Sequence, residues 1–283
     1  MIDETVEEIR EMQTHSSSVV AVRAARALEE LLDREFATVE EFERDLERNS
    51  SALQHANPSH ASLWSTQRRI VEEVTGGDAG TVEEVKTATA AVIDRVVREV
   101  ERSKARAAET VARELADAGT VLTHDYSTTV IEAIELATGD GAELSVYVTE
   151  ARPRFQGRRA ARTLADVEGV DTNLVVDSAA GHYLEECDLV VVGMDCIVED
   201  TLYNRVGTYP LAATADDAGV PFVAAGASTK LIDGGFRFEN DFRSPTEVLL
   251  EPAEGFAVHN PAYDATPIRL VDRVLTDEGV EEF

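Results

Sequence analysis

Asp195 follows four apolar residues, Leu189 to Val192, and the pair Gly193-Met194, and precedes a polar stretch that reads as a loop and ends in Asn204-Arg205-Val206-Gly207-Thr208. A carboxylate just past a buried strand is placed to move a proton. An amide and a guanidinium at the start of a helix are placed to hold an anion, because open parallel sheets bind ligands at the carboxyl ends of their strands, beside free helix N-H groups. The competing reading is an aspartate that caps a loop, followed by an ordinary turn. Other short apolar runs end in the same way. They supply Thr123, His124, Asp125, Ser127 and Thr128; then Glu150, Arg152 and Gln156; then Asp177; then Lys230. Singly, each has a plain explanation. His124 fits a packed, hydrogen-bonded residue, Asp125 a helix cap, Arg152 and Arg154 a solvated pair beside Glu150, and Lys230 a surface lysine. The functional reading comes from their convergence, since parallel strands present their ends on one rim.

The elements that must position these residues are legible as patterns. Thr120 to Thr123, Leu144 to Val148, Leu174 to Val176, Leu189 to Val192 and Pro221 to Ala225 are short, often β-branched runs separated by helical patterns, which predicts a doubly wound parallel sheet in an α/β domain. Before about Ala108 the chain reads as helices. Ile2, Val6, Ile9 and Met12 share one face, as do Val20, Ala24, Ala27, Leu28, Leu31 and Leu32. Asn57-Pro58-Ser59 signals a turn and a helix start ahead of Leu63 and Trp64. Thr81 is placed to cap a long helix carrying Val82, Val85, Ala88, Val92, Val96 and Val100. The expected organisation is a helical N-terminal domain over 1–108 and a Rossmann-like α/β domain over 109–283 that carries the ligand cleft.

Composition narrows the function. The 283 residues carry 55 acidic against 26 basic side chains, a formal charge of -29 spread through apparently folded segments, and the lysines are Lys86, Lys104 and Lys230. This acid-rich, lysine-poor balance resembles the surfaces of proteins from halophilic archaea, where high salt screens self-repulsion. It argues against direct nucleic-acid binding by the exposed surface. Cys187 and Cys196 make neither a disulfide framework nor a zinc site and read as buried free thiols. Met1 to Arg10 is acidic and amphipathic rather than a signal peptide, and no long apolar span follows, so a cytoplasmic protein without membrane contact is expected. Thr123-His124-Asp125-Tyr126-Ser127 stands where a glycine-rich phosphate fingerprint would follow the first strand, which argues against a nicotinamide or flavin. No cofactor and no metal are expected.

Read in order, Leu122-Thr123-His124-Asp125-Tyr126-Ser127, Val148-Thr149-Glu150-Ala151-Arg152-Pro153 with Gln156-Gly157, Gly193-Met194-Asp195, Asn204-Arg205-Val206-Gly207-Thr208 and Asn260-Pro261-Ala262-Tyr263-Asp264-Ala265-Thr266-Pro267 form a recognisable series. It resembles the translation initiation factor 2B alpha/beta/delta family, whose superfamily includes ribose-1,5-bisphosphate isomerase and methylthioribose-1-phosphate isomerase. The resemblance implies a helical domain joined to a Rossmann-like domain, assembled as a homo-oligomer, a dimer or larger. In the isomerase members an aldose phosphate becomes a ketose phosphate through a cysteine after Thr-His and an aspartate after Gly-Ala. Here the aspartate matches Asp195, the family's Asn-Lys pair matches Asn204-Arg205, and a later phosphate-side lysine matches Lys230. The cysteine position is Asp125. Ser127, Thr128, Glu150, Arg152 and Gln156 complete the candidate ligand-binding set.

The departures bear on function. A thiol and a carboxylate differ in pKa, and two carboxylates facing one pocket repel unless one is protonated or a cation intervenes. Thr14-His15-Ser16-Ser17-Ser18 stands where the isomerases carry an Arg-Gly-Ala phosphate loop, and Asn57-Pro58-Ser59 stands where they carry Arg-Pro-Thr. Each lost arginine removes a bidentate phosphate ligand. The sequence-based expectation is therefore a non-catalytic regulatory subunit that binds a phosphorylated sugar or nucleotide, with an initiation factor 2 subunit as a possible partner. The alternative is a ribose-1,5-bisphosphate isomerase using Asp195, with Asp125 as its second proton-transfer group.

Overall fold

The computed structural model describes residues 2–11, 16–232, 234–251 and 253–282. Met12, Thr14 and His15, used above for the first helical stripe and the N-terminal loop, lie outside the described residues. The chain divides into two compact units, one running to Arg102 and including Phe236–Phe238, the other Ser103–Gly235 with Glu239–Phe283.

The first unit is helical: α1 (Ile2–Arg10), α2 (Ser17–Ala27), α3 (Val39–Ala56), α4 (Ala61–Val74) and the first part of α5 (Val82–Leu115). Its core is built from Leu28, Leu31, Phe42, Leu46, Leu53, Leu63, Ile70 and Ile93, all fully buried. The signals read from the sequence have physical counterparts here. Thr81 Oγ1 accepts from the Glu84 N-H (3.3 Å) while the Glu84 carboxylate accepts from the Thr81 N-H (3.0 Å), a reciprocal capping box at the start of α5. In the turn before α4, the Asn57 side chain accepts from the Ser59 N-H. The division between the units falls inside α5, at Arg102/Ser103, six residues before the expected boundary. Beyond that point the helix's apolar residues Ala108, Val111, Ala112 and Leu115 belong to the core of the second unit.

The second unit is the α/β domain. Among the described residues it holds a seven-stranded sheet built from β1 (Thr120–His124), β2 (Leu144–Thr149), β3 (Val170–Val175), β4 (Leu189–Gly193), β7 (Phe222–Ala225), β10 (Arg273–Leu275) and β11 (Val280–Glu282), in the order β11-β10-β7-β4-β1-β2-β3. All pairs are parallel except β10 with β11. Helices α6 (Thr128–Gly139), α7 (Gln156–Leu164), α8 (Ala180–Tyr183) and α9 (Thr208–Ala218) connect the strands. From β1 the chain moves outward through β2 to β3, then crosses back to β4 on the other side of β1. The reversal places a crevice at the carboxyl ends of β1 and β4.

Three expectations are corrected. First, the polar stretch after Asp195 is not a loop. Cys196–Val198 (β5) and Thr201–Arg205 (β6) pair as an antiparallel hairpin, and with β8 (Leu231–Ile232) and β9 (Tyr263–Pro267) they form a second sheet in the order β8-β5-β6-β9. Second, Asn204 and Arg205 therefore end a strand, and the helix begins three residues after Arg205, at Thr208. Third, β3 starts at Val170 rather than Leu174, because an edge strand carries polar residues such as Asp171 and Asn173 without burying them. No helix among the described residues is long and apolar enough to cross a membrane.

Candidate active site

The change of sheet after β4 positions Asp195. The Met194 N-H still bonds within the main sheet, to the Ala225 carbonyl (3.1 Å), whereas the Asp195 N-H bonds to the Tyr203 carbonyl in the hairpin (3.0 Å). The carboxylate is thus held by two sheets at the crevice. Asp125 follows β1 on the neighbouring strand with φ 66°, a left-handed conformation unusual for a side chain-bearing residue, and Ala151 after β2 repeats it with φ 56°. Such backbone conformations cost of order 1–3 kcal/mol and persist where surrounding structure holds them.

The two carboxylates share one cation. The Arg205 Nε lies 3.5 Å from the Asp125 carboxylate and 3.9 Å from that of Asp195, with all three side chains 15% exposed or less. Arg205 also stacks over the Tyr263 ring, its cross-strand neighbour, at 4.7 Å. Burial works against the Arg205 charge, but Tyr263, Asp195 and Asp125 more than offset it and hold the pKa above the usual arginine range. This is the intervening cation that two facing carboxylates require.

His124 positions the segment that carries Arg205. Its Nε2 lies 2.8 Å from the Val206 carbonyl and its Nδ1 lies 2.6 Å from Thr149 Oγ1. A carbonyl only accepts, so Nε2 bears a hydrogen and donates to Val206, while Nδ1 shares a hydrogen bond with the threonine hydroxyl. The ring packs so closely that a Cβ on Gly207 would sit 2.6 Å from His124 Cε1, and φ at Gly207 is +109°. Only glycine fits both demands. Asn204, also buried, donates to Thr208 Oγ1 (3.0 Å), which donates to the Arg205 carbonyl (2.6 Å). Asp264 accepts from the Gly207 and Tyr209 N-H groups at the start of α9.

Lys230 is buried rather than on the surface, and donates to the Met194 carbonyl at 2.6 Å. Burial lowers its pKa, with Asp195 opposing. Ser127, not Asp125, caps α6 by accepting from the Val130 N-H, and Thr128 is the first residue of that helix. Gln156 opens α7, and its side-chain Oε1 is buried without a hydrogen-bond partner among the described residues. Two candidates are engaged elsewhere. Glu150 accepts both the Nε and Nη2 of Arg158, and exposed Arg152 reaches the Val248 carbonyl at 3.4 Å and lies over Phe155. Asp177 accepts from the Ala151 and Arg152 N-H groups, fixing the turn after β2. Both thiols are buried. Burial pushes Cys187 up to about 11 and drives Cys196 further in the same direction, so neither is a nucleophile at neutral pH.

Arg154, read above as one of a solvated pair beside Glu150, is instead largely buried and lies 3.6 Å from Glu247. Arg243, buried further, was not anticipated, because it lies in a stretch with no periodic pattern.

The model of the initiation factor 2 subunit family matches residues 13–282. The chain belongs to that family. Among relatives of this family member, the ribose 1,5-bisphosphate isomerase of Haloterrigena turkmenica is 33% identical, covering 97% of this chain and 88% of the relative. The ribose 1,5-bisphosphate isomerase of Methanocaldococcus jannaschii is 33% identical, covering 99% and 91%. Among solved structures, a 5-methylthioribose 1-phosphate isomerase from Pyrococcus horikoshii superposes with a TM-score of 0.82 at 26% identity, covering 99% of this chain and 84% of that one. A translation initiation factor 2B from the same organism gives the same TM-score of 0.82 at 23% identity, covering 99% and 96%, and shares the fold.

Proposed function

We propose that this family member is an aldose-ketose isomerase of phosphorylated ribose, of the ribose 1,5-bisphosphate type. The observation that carries the reading is the meeting of Asp125 and Asp195, from the ends of neighbouring strands, on the single guanidinium of Arg205. The names of the relatives with extensive coverage support it. The reaction opens the bond between C1 and the ring oxygen, moves a hydrogen from C2 to C1, and transfers the C2 hydroxyl proton to the former ring oxygen. One group must give a proton and one must take it, a task suited to two carboxylates in different surroundings. Asp195 is assigned as the essential proton-transfer group, with Asp125 as its counterpart where the isomerase members carry a thiol. Arg205, Lys230, Asn204 and the start of α6 at Ser127 and Thr128 form the ligand side. The unpartnered Gln156 oxygen suits a sugar hydroxyl. Assembly as a dimer or larger is part of the proposal.

One observation favours a second reading. A guanidinium already paired with both carboxylates, one of them in the thiol's place, also suits a binding subunit that turns nothing over and acts through a protein partner such as an initiation factor 2 subunit. Incubation of the folded chain with ribose 1,5-bisphosphate in high salt, following ribulose 1,5-bisphosphate, separates the two. Turnover that falls by about a hundredfold or more in Asp195→Asn is expected. A folded preparation with no turnover would overturn the isomerase reading in favour of the binding subunit.

A further inference from the structure

The two edges of the seven-stranded sheet are built differently. β11 closes one edge with three residues, two of which are Glu281 and Glu282. Shortness and charge are common means of keeping a sheet edge from pairing with another chain. β3 closes the other edge with six residues, and from Thr172 to its end it carries no charge. Its backbone groups alternate between the two sides. The Gly169 and Val175 carbonyls accept from the Leu144 and Glu150 N-H groups, on the β2 side. By that alternation Asp171 and Asn173 also turn toward β2, whereas Val170, Thr172, Leu174 and Val176 turn outward. The ends of the outward row are engaged, since the Val170 N-H bonds to the Val167 carbonyl and the Val176 carbonyl accepts from the Ala179 N-H. At its centre the N-H and C=O groups of Thr172 and Leu174 face no further strand among the described residues. Leu174 and Val176 are 52% and 53% exposed, on the sheet face that buries Val146 and Val148.

We propose that β3 pairs antiparallel with β3 of a second copy of this chain, about a twofold axis at Asn173, so that one sheet runs through both copies. The sequence of the strand selects this occupant and this register. A ladder must set outward groups against outward groups, which places the axis at a residue rather than between two. At Asn173 it opposes Thr172 with the partner's Leu174 and Val170 with the partner's Val176, so the exposed apolar side chains gain neighbours on their own face. Asp171 then meets the partner's Val175. Moving the axis to Asp171 would set two aspartates face to face, and moving it to Leu174 would oppose Asp171 with the partner's Asp177. Like charges directly opposed destabilise a sheet. Moving it to Thr172 would leave Val176 beyond the partner's strand. Charge supports a second copy as well. In a chain of net charge -29, the run from Thr172 to Val176 is uncharged, so two acidic copies meet there with little repulsion. The seam gives a surface to the assembly proposed above and rests on that part of the reading alone, not on turnover.

Cross-linking of the full chain tests the register. In the proposed pairing Asn173 opposes its own copy at a non-hydrogen-bonded position, where Cα atoms lie about 4.5 Å apart, inside the disulfide range of roughly 4.4 to 6.8 Å. Position 171 is offset from its own copy by four residues, about 13 Å. Under mild oxidation with diamide, Asn173→Cys should run as a covalent dimer on a non-reducing gel. Asp171→Cys should not, and neither should the native chain, whose own thiols are buried. Leu174→Lys sets a charge on the seam and should weaken self-association by about tenfold or more, read by sedimentation at constant KCl. In the native chain the Thr172 and Leu174 amides should exchange about tenfold or more faster once dilution separates the copies. No cross-link through position 173, or native self-association in folded Leu174→Lys, would overturn the seam. A native chain that sediments as a monomer would overturn it too. Should either variant fail to fold, the exchange of the native amides decides, and rates unchanged by dilution would count against the pairing. A seam present in a chain without turnover would sink the isomerase reading and leave the pairing standing. Asp195-dependent turnover in a chain without the seam would do the reverse.

Discussion

At the scale of single residues, the site is a problem of placing charge where water is scarce. Arg205 solves it for the two carboxylates through one nitrogen, Nε, which faces both, and a guanidinium suits the task because it keeps its charge when buried. The same exclusion of water sets the chemistry of the thiols. Cys187 donates to the Tyr183 carbonyl at 3.2 Å, and burial, helped by Glu186 and Asp188, pushes its pKa up to about 11. In the unfolded chain that thiol ionises near its ordinary value of roughly 8.5. Between the two values the folded state binds more protons than the unfolded one, so stability is present below the unfolded value and is lost as pH rises toward the folded one. Cys196 acts in the same direction. The urea midpoint of the native chain should therefore fall as pH is raised from about 9 to about 11, and Cys187→Ala should flatten that fall by an amount on the order of 2 kcal/mol. Equal slopes in the two proteins would show that the thiol does not carry the effect.

At the scale of elements, the junction of β2 and α7 shows how tightly the strand ends are built. A Cβ on Gly157 would lie 1.7 Å from the Thr149 carbonyl oxygen, which is backbone and has no rotamer to change. Gly157→Ala should separate α7 from the end of β2 and destabilise the fold by about 3 kcal/mol or more, read by chemical denaturation. A loss under about 1 kcal/mol would mean that the helix start can shift without consequence. The elements differ in how plainly the sequence announces them. Four parallel strands are legible because strands buried in the sheet are nearly unbroken apolar runs, as in Leu189 to Val192, whereas of β3, at the edge, only the apolar end shows. The start of α5 is legible because Thr81 and Glu84 have cap spacing. The hairpin of β5 and β6 is not, since three- and five-residue strands joined through Glu199 in a left-handed turn leave no run to detect. The site follows the same division. Asp125, Asp195 and Lys230 are readable as residues at the ends of legible strands. Arg243 depends on two asparagine side chains reaching across a strap, a contact with no local signature.

At the scale of the whole molecule, a formal charge of -29 on 283 residues works against compactness. Local pairing offsets part of it, with Arg68 to Glu72 and Arg69 to Glu73 matched one helical turn apart on α4, but 55 acids against 26 bases leave a large unmatched excess. Exposed pairs of this kind contribute about 0.3–0.5 kcal/mol each, too little to balance that excess. Screening by salt is the remaining means of reducing the repulsion. The Debye length falls from about 10 Å at 0.1 M to about 3 Å at 1 M, so exposed charges farther apart than that no longer repel appreciably. The thermal midpoint should therefore rise by roughly 5 °C or more as KCl is raised from about 0.1 M to about 1 M. The shape of the curve identifies the cause. Relief of repulsion is largely complete by about 1 M, whereas strengthened burial of apolar surface continues to grow with added salt. A midpoint that climbs steeply below 1 M and levels above it marks charge as the term being relieved. A flat curve, or one that rises only at the highest concentrations, would show that the acidic excess is already accommodated at low salt.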